Sequence, residues 1–454
     1  MIPMTRSLLA LALSAPLCAA AAPITLDEAL ALAGRQSHDL VIAKADAELA
    51  GADGLGAWQG VLPRLDLTAT AARQFYGAST ISRFDSITGN LVPANVDASD
   101  YSAYSFGLQF SQPIFDLVAF RRISQYKASE RAAGRTWDES RLTVAFDVTR
   151  RFYELVRAER TLQVLEKASQ RSAELVERAD ALFTAGRAQK LDTFNARVNL
   201  GNDRIAVEQG RTRLVQARAD LALALGQPGD AAIEVVAPAS VEGMVLPSGE
   251  PPPLAALMDR ARERRPSLAA AMAQVVAAEA SLGAARSDYL PTLSLQANYS
   301  RSGQKATDTG GVNGTDGVFG DPRRNYGASV GLVLGWNLFA GRSTEAGVAR
   351  ATASAERVRA GAGKTTDAVA REVTSARQTV VALAAQVTLS ADNLSAAEQS
   401  LKLARQRLEA GLASQLEVRD ASLKFTQAEL SLVQARIDHA VATADLARAV
   451  GGAL

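Results

Sequence analysis

Hydrophobic and polar residues alternate with a period of two in four segments of the chain. In the first segment Leu65, Leu67 and Ala69 alternate with polar residues, and in the last Val330 and Leu332 share a face. This period places alternate side chains on opposite sides of a β-strand. We therefore predict strands over residues of about 64–77, 101–115, 291–303 and 325–339. Tilted strands of this length can cross a bilayer.

Apolar residues recur every seven positions in the longer stretches that flank these strands. Val373, Val380 and Val387 belong to one such row, and Val148 and Leu155 belong to another. Two further rows follow glycine-containing turns and consist of Leu416, Leu423, Leu430 and Ile437, and of Leu191, Val198 and Ile205. Heptads held this long favour coiled-coil packing. The longest stretches, roughly residues 116–183 and 344–408, would each extend about 100 Å as uninterrupted helices.

The order of predicted elements occurs twice, about 225 residues apart. Leu62 and Pro63 return as Leu290 and Pro291, and each copy runs helix, strand, loop, strand, long helix, turn, helix. We read this as the duplication of one structural unit. The predicted organisation is a signal peptide over residues 1–21, a first repeat over 22–226, a linker or equatorial segment over 227–253 and a second repeat over 254–454.

The first residues of the chain have the three-part pattern of a secretory signal peptide, with expected cleavage after Ala20 or Ala21. Cys18 would leave with the signal rather than carry a lipid, because Leu17 precedes it where lipid attachment requires a small residue. No later stretch approaches 18 uninterrupted apolar residues, so no transmembrane helix is predicted. An exported chain of this kind is either free in the periplasm or inserted in an outer membrane as strands.

Composition excludes several classes of function. A formal charge of +1 gives no electrostatic reason to expect a nucleic-acid partner. The processed chain would hold no cysteine, and its two histidines are isolated, so neither a metal site nor a cofactor is expected; His439 falls on an apolar row and should be packed. Residues 361–365 resemble a phosphate loop, but Val358 stands where its first glycine is required. No other catalytic signature is present, so the chain is not predicted to be an enzyme.

Strands in lipid must close into a barrel, because unpaired backbone polar groups are costly there. Four strands cannot close alone, since the smallest membrane barrels have about eight. The sequence therefore predicts an oligomer that shares one barrel. Two, three or four copies would each satisfy this requirement.

The duplicated layout carries short motifs at the strand ends: Gln-Pro-Ile-Phe at residues 112–115 and Gly-Trp-Asn-Leu-Phe at residues 335–339. Together with the two glycine turns, they resemble the TolC-like outer membrane factors, the exit ducts of bacterial efflux pumps and type I secretion systems. The resemblance covers essentially the whole processed chain. It implies an α+β membrane protein, a trimeric 12-stranded β-barrel with four strands per chain that continues into a long coiled-coil α-helical barrel. It also implies outer-membrane lipid, a periplasmic adaptor (membrane fusion) protein and an inner-membrane pump as partners.

Acidic residues follow both glycine turns. Glu417 and Asp420 are three residues apart, which places both carboxylates on one helical face. They match the positions where the resembled family carries acidic rings at the constricted periplasmic entrance, and such rings favour cations. Asp192 lies at the equivalent place in the first repeat, where Asn195 replaces the second acid. The resemblance therefore assigns Asp192, Glu417 and Asp420 to a pore constriction or gate; the alternative is a solvated helix surface.

The turns themselves contain Gly186, Arg187, Gly411 and Leu412. They are similar to the tips at which the family meets a periplasmic adaptor. Glycine is also what an ordinary reversal between two helices requires, so a plain hairpin turn is the alternative. Arg187 stands where the family often has an aliphatic docking residue, and Ala413 where it can have a basic latch residue.

The predicted function is a passive outer-membrane exit duct of a tripartite efflux pump or a type I secretion system, with a large periplasmic part. The alternative is a periplasmic coiled-coil scaffold or interaction protein whose hairpins pack on protein. A duct dedicated to divalent cations is a third possibility, to which the two histidines lend no support.

Overall fold

The computed structural model describes residues 23–87, 89–186, 189–231, 233–237, 251–306 and 326–452. The predicted signal peptide with Cys18, and Arg187 at the first turn, lie outside these residues. So do part of the predicted linker and most of the second predicted loop.

Helices account for most of the described chain. They are α1 (Leu26–Gln36), α2 (His38–Gly56) with a 3-10 turn at Ala57–Gly60, α3 (Leu117–Thr184), α4 (Lys190–Ala224), α5 (Leu254–Arg264), α6 (Pro266–Ser287), α7 (Ser343–Glu409) and α8 (Gln415–Ala449). The long helices α3 and α7 agree with the prolonged heptad rows.

The strands are β1 (Arg64–Tyr76), β2 (Ser79–Phe84), β3 (Leu91–Val96), β4 (Ser99–Phe115), β5 (Thr292–Ala306) and β6 (Tyr326–Gly335). Four of them form an antiparallel sheet in the order β1-β4-β5-β6, so β1 and β6 are its edges. β2 and β3 form a separate hairpin in a segment predicted to be a loop. β6 ends at Gly335 rather than near residue 339, because its partner β5 begins at Thr292, directly after a proline that has no amide proton.

The chain divides into two compact units, each of which takes residues from both halves of the sequence. The helical unit comprises the described residues of 1–44, 137–266 and 367–454. The sheet unit comprises the described residues of 45–136 and 267–366.

The core of the helical unit forms around α3. Val148, Phe152 and Leu155 lie on one face of this helix and are fully buried, together with Leu221 of α4 and Ile437 of α8. Their spacing of three to four residues is the period of a helix that buries one side. The heptad row predicted the position of this face correctly.

The heptad row of α7 is also buried within the chain. Val373, Val380, Val387 and Leu401 have almost no exposed surface. Val387 packs against Leu432 of α8 in one of several small clusters along the helices. This is the side-by-side packing that the coiled-coil prediction implied.

The row of α4 behaves differently. Leu191, Val198 and Ile205 are about 60% exposed, with individual values of 61%, 63% and 59%. Leu416, at the beginning of α8, is 77% exposed. A regular apolar row that remains open to solvent in one chain is an unusual surface.

The sheet unit separates apolar and polar residues by face. Register brings Leu67, Leu108, Tyr299 and Ala328 into one row across the sheet. The next row toward the helices contains Leu65, Phe110, Ala297 and Val330. The opposite face carries Thr68, Asp66, Gln109, Asn298 and Ser329. The predicted alternation is confirmed.

Two helices, α6 and α7, contain windows of 18 residues whose mean hydropathy, 1.4 and 1.2, would allow a membrane span by length and composition alone. No membrane helix was predicted from the sequence, because no stretch after the signal peptide approaches 18 uninterrupted apolar residues. Only 17% and 11% of these windows are buried in one chain. Alanine supplies much of their apolar content, and an alanine-rich helix that packs against neighbouring helices passes the same test.

A buried group of charges joins four helices of the helical unit. Arg265 follows α5 and is only 5% exposed. Its Nη2 atom lies 2.9 Å from Oε1 of Glu139 on α3 and 3.1 Å from Oε2 of Glu372 on α7. Its Nη1 atom donates to the carbonyl oxygen of Arg448 on α8 at 2.6 Å. The guanidinium group of Arg265 therefore links the end of α5 to three other helices.

His439 is 9% exposed in α8, as its place on the apolar row predicted. Burial lowers the pKa of its imidazole, because the charged form loses hydration. Residues 361–365 lie within α7, so they form no phosphate loop.

Candidate functional site at the helix turns

The turn after α7 is closed by backbone hydrogen bonds. Gly411 has a φ of 74°, and its N–H donates to the carbonyl oxygen of Leu408 at 3.0 Å. The N–H of Leu412 donates to the carbonyl oxygen of Arg407 at 2.8 Å. This pair of bonds is a Schellman motif, which requires a left-handed residue and therefore favours glycine. Gly186, after α3, has a similar φ of 71°.

Arg407, near the end of α7, stabilises the second turn through two side-chain contacts within the same chain. Its Nη2 atom donates to the carbonyl oxygen of Leu412 at 3.2 Å, and its Nη1 atom lies 3.6 Å from Oε2 of Glu417. Ser414 caps α8 by accepting the N–H of Glu417 through Oγ at 3.3 Å. Arg407 was not predicted from the sequence. Its position shortly before a glycine turn could have indicated this role, because the reversal of the chain brings Arg407 close to the start of the next helix.

Glu417 and Asp420 lie on the first turns of α8 with side chains that are 51% and 60% exposed. Asp420 pairs with Lys424, one turn later, at 2.6 Å. An exposed pair of this kind contributes little to stability, because water screens it. Each carboxylate therefore has a cation beside it in its own chain, and their predicted role at a constriction stays a prediction.

Asp192 lies at the beginning of α4, where its Oδ2 atom accepts the N–H of Gln189 at 3.2 Å. It also lines a small cavity of about 70 Å³ in the helical unit. The cavity is lined by Ser172, Leu175, Asp192, Asn195, Ala196, Asn199, Gln415, Leu416 and Arg419. The structure thus brings Asp192 and the first turns of α8 to one place, although these residues are far apart in the sequence.

A largely buried ion pair next to this cavity was not predicted. Arg419 of α8 donates from Nη1 to Oδ2 of Asp203 at 2.8 Å and from Nη2 to Oδ1 at 3.1 Å. Nη1 also donates to Oγ of Ser172 on α3 at 2.7 Å. The two charged side chains are 13% and 17% exposed. The interaction joins α3, α4 and α8, and nothing local in the sequence relates residues so far apart.

No group of three or more His, Cys, Asp or Glu side chains within the described ranges could hold a metal ion. The geometry instead consists of two helix reversals, exposed carboxylates at the start of the returning helices, and internal ion pairs that join the helices. Such an arrangement can present a charged rim and a docking tip.

A family model and a curated relative both match this chain over most of its length. A family model described as "Outer membrane efflux protein" matches residues 29–227 and 257–452. Outer membrane protein OprJ of Pseudomonas aeruginosa is 26% identical over 402 residues, which cover 85% of this chain and 80% of OprJ.

Two solved structures share the fold. The outer membrane protein VceC of Vibrio cholerae aligns over 94% of this chain and 96% of its own, with a TM-score of 0.75 and 20% identity. The Campylobacter jejuni CmeC outer membrane channel aligns over 94% and 85%, with a TM-score of 0.76 and 17% identity.

Proposed function

Since the chain belongs to the outer membrane efflux protein family, we propose that three copies assemble into one duct and that each copy contributes its sheet to a shared barrel. The protein acts in the outer membrane as an exit duct for efflux, with a large periplasmic helical part. Its family is one of transport channels and not of enzymes. Membership of this family also sets aside the alternative of a periplasmic scaffold.

The observation that carries the assembly is the pair of open sheet edges. β1 and β6 end the four-stranded sheet, and among the residues that the structure describes no further strand pairs with the outer backbone N–H and C=O groups of either one. In hydrocarbon these groups need partners, so β1 of one copy must pair with β6 of the next. Three copies then give the 12 strands that the family resemblance implies.

The exposed row of α4 supports the same assembly. Leu191, Val198 and Ile205 recur every seven residues and are open in a single chain. Packing against a helix of the neighbouring copy would cover them, as in a coiled coil. The helices would then continue the barrel as a tunnel of packed helices.

Equivalent elements support two tandem repeats, over 22–226 and 254–454, joined by the segment 227–253. α4 and α8 each have 35 residues, and α3 and α7 have 68 and 67. Gly226 and Gly451 follow α4 and α8 with φ values of 75° and 89°. A Cβ at Gly226 would lie 2.2 Å from the Gln36 carbonyl oxygen, and one at Gly451 would lie 2.7 Å from that of Arg264. Each glycine therefore lets the chain approach the end of the corresponding short helix.

A direct test is the assembly and conductance of the purified protein. We expect the unheated sample to migrate in SDS as a complex of three chains and the heated sample as one chain, because a closed barrel resists the detergent. The same preparation should form conducting pores in a planar bilayer. A monodisperse monomer that is soluble without detergent and forms no pores would contradict the proposal.

In the assembled duct we place the constriction at Asp192, Glu417 and Asp420, and the adaptor-docking tips at Gly186, Arg187, Gly411 and Leu412. The exposure of both carboxylates of α8, and of Leu412 at 71%, is compatible with these roles. Threefold symmetry would gather three copies of each carboxylate around the axis. A periplasmic adaptor and an inner-membrane pump, or the corresponding parts of a type I secretion system, would deliver the substrate and supply the energy.

Neutralising the acidic pair tests the constriction. For the double variant Glu417→Gln and Asp420→Asn, we expect the ratio of cation to anion permeability in a planar bilayer to fall toward one, because a ring of carboxylates attracts cations. Block by divalent cations should weaken as well.

The matched control removes two carboxylates from α5, with Asp259→Asn and Glu263→Gln. Asp259 is paired with Arg262 on an exposed surface. This variant should keep the permeability ratio of the wild type. Equal permeability ratios in the wild type, the double variant and the control would contradict the placement of Glu417 and Asp420 at the constriction.

A further inference from the structure

The β2–β3 hairpin continues the main sheet in the same register. This inference rests on the proposed barrel, in which the loop end of the sheet faces the cell exterior, because the other end leads into the periplasmic helices. Tyr76 pairs with Ser99 at the end of the β1–β4 ladder, and Ser79 pairs with Val96 at the start of the β2–β3 ladder. The break between the ladders spans two residues on each strand. Two residues are one full pleat, so the faces of the hairpin stay in phase with the faces of the sheet.

The polar face of the sheet extends into the hairpin. In the proposed barrel this face lines the lumen, because the opposite face is apolar and contacts lipid. Oγ of Ser105 donates to Oγ1 of Thr70 across the polar face at 3.1 Å. On the same face of the hairpin, Oγ1 of Thr80 donates to Oδ1 of Asn95 at 3.0 Å. The other face of the hairpin continues the apolar side of the sheet with Ile81, Val92 and Val96.

The lumenal side of the hairpin becomes apolar at its last pair. Phe84 pairs with Leu91, and these side chains are 64% and 68% exposed. Ile87, in the turn between them, is 94% exposed. The N–H of Asp85 donates to the carbonyl oxygen of Asn90 at 2.9 Å, and the N–H of Ile87 donates to Oδ1 of Asp85 at 3.0 Å. The apolar tip, defined as Phe84, Ile87 and Leu91, thus presents three exposed apolar side chains around a closed turn.

Lipid does not cover the apolar tip in the proposed barrel. Phe84 lies eight residues beyond Tyr76, the last residue of β1, and this is about 26 Å along an extended strand. Phe84 and Leu91 also lie on the lumenal side, whereas lipid surrounds the outer side of a barrel. Exposed apolar side chains grouped in this way mark interaction sites. β2 prolongs β1, the edge strand at the proposed interface between copies, so the same hairpin of the other two copies stands around the same mouth.

The length of the hairpin matches the width of this mouth. Twelve strands that are about 4.8 Å apart and tilted by about 40° enclose a radius of about 12 Å. A hairpin that extends about 26 Å beyond the sheet reaches the threefold axis when it leans inward by roughly 30°. The break at residues 77–78 and 97–98 contains Gly77, and bending there disrupts no strand pairing. Three hairpins can therefore bring their tips together over the lumen.

We propose that the three apolar tips meet on the threefold axis and form an outer constriction at the extracellular mouth of the duct. Phe84 and Leu91 of each copy pack against the same residues of the other two copies. A narrow apolar ring excludes water and ions when it is closed, so it restricts the entry of hydrophilic solutes from outside. The hairpins open by bending outward at the break when substrate is driven through the duct.

The first test is chemical cross-linking in the intact trimer. Cys18, which precedes the expected cleavage site, is the only native cysteine. With Leu91→Cys, a short bismaleimide should join two copies, and the heated sample should then show a covalent dimer band in SDS. Val92→Cys is the matched control, because this neighbouring residue of β3 lies on the opposite face, and it should give no dimer. The absence of a dimer band with Leu91→Cys, or an equally strong band with the control, would overturn the proposal.

The second test is access to the lumen from outside. Ser302→Cys places a thiol on the lumenal face of β5, where Ser302 pairs with Ser105. A cationic methanethiosulfonate reagent is added to intact cells, and the rate of modification of this thiol is measured. Phe84→Ser with Leu91→Ser should raise the rate about tenfold, because buried Phe and Leu side chains favour the closed arrangement by at least that factor.

Ile81→Ser with Val92→Ser is the control for the second test, because it removes two apolar side chains from the outer face of the same hairpin. It should leave the modification rate unchanged. Equal rates with and without the serines at the tip, or an equal increase in the control, would overturn the proposal. Unheated migration in SDS and pore formation are measured on every sample. Conducting trimers whose tips have no effect contradict only the outer constriction, whereas a wild type without trimers or pores contradicts the proposed duct itself.

Discussion

Replacing Arg265 with alanine is expected to lower the stability of the helical unit by about 3 to 5 kcal/mol, the usual cost of breaking a buried ion pair from one side. The guanidinium is 5% exposed and bonds Glu139, Glu372 and the carbonyl oxygen of Arg448. Its removal leaves two partly buried carboxylates close together without this cation. The measurement is the midpoint of helix loss on heating in detergent, followed by circular dichroism.

Arg262→Ala is the control, because Arg262 lies on α5, three residues before Arg265, with a side chain that is 65% exposed and pairs with Asp259. Its loss should cost less than about 0.5 kcal/mol. Arg265→Lys keeps the charge but not the fork, so its midpoint should fall between those of the wild type and the alanine variant. Equal midpoints for the two alanine variants would show that the buried network contributes nothing.

The periodic part of the fold was predictable from the sequence, because it depends on local spacing. Heptad rows located α3 and α7, and the period of two located the strands of the main sheet. The buried rows of Val148 and Val373 follow from the same spacing. The hairpin of β2 and β3 was missed, because its short strands mix Arg83 and Pro93 with apolar residues and show no clean alternation.

The internal ion pairs could not be predicted for a different reason. Arg419 and Asp203 are brought together only by the packing of separate helices, and the partners of Arg265 come from helices distant in sequence. Local propensity contains no information on such pairs. The shared helical face of Glu417 and Asp420 was predictable because a spacing of three residues is local, whereas their place at a constriction came from the family resemblance and stays a prediction. Arg407 and Arg419, whose side chains contact the residues around this site, were not predicted.

The exposed row of α4 gives a prediction about assembly. Val198→Glu with Ile205→Glu should convert the trimer into monomers, because both side chains are about 60% exposed in one chain and would be buried between copies. Each copy would lose roughly 2 kcal/mol of apolar burial per site, and each introduced carboxylate would add a desolvation penalty of several kcal/mol. Threefold symmetry repeats both losses at every interface. The measurement is the mass of the detergent-solubilised protein by light scattering.

Arg204→Glu is the control for the introduced charge. It places a glutamate one residue before Ile205, at a position outside the apolar row. Arg204 is exposed on α4. This variant should remain trimeric and conduct as the wild type does. Helix content should be unchanged in the double variant, because Val198 and Ile205 contribute little to the core of their own chain. A trimer that survives both glutamates would mean that α4 meets no neighbouring copy, and the sheet edges alone would then have to hold the assembly together.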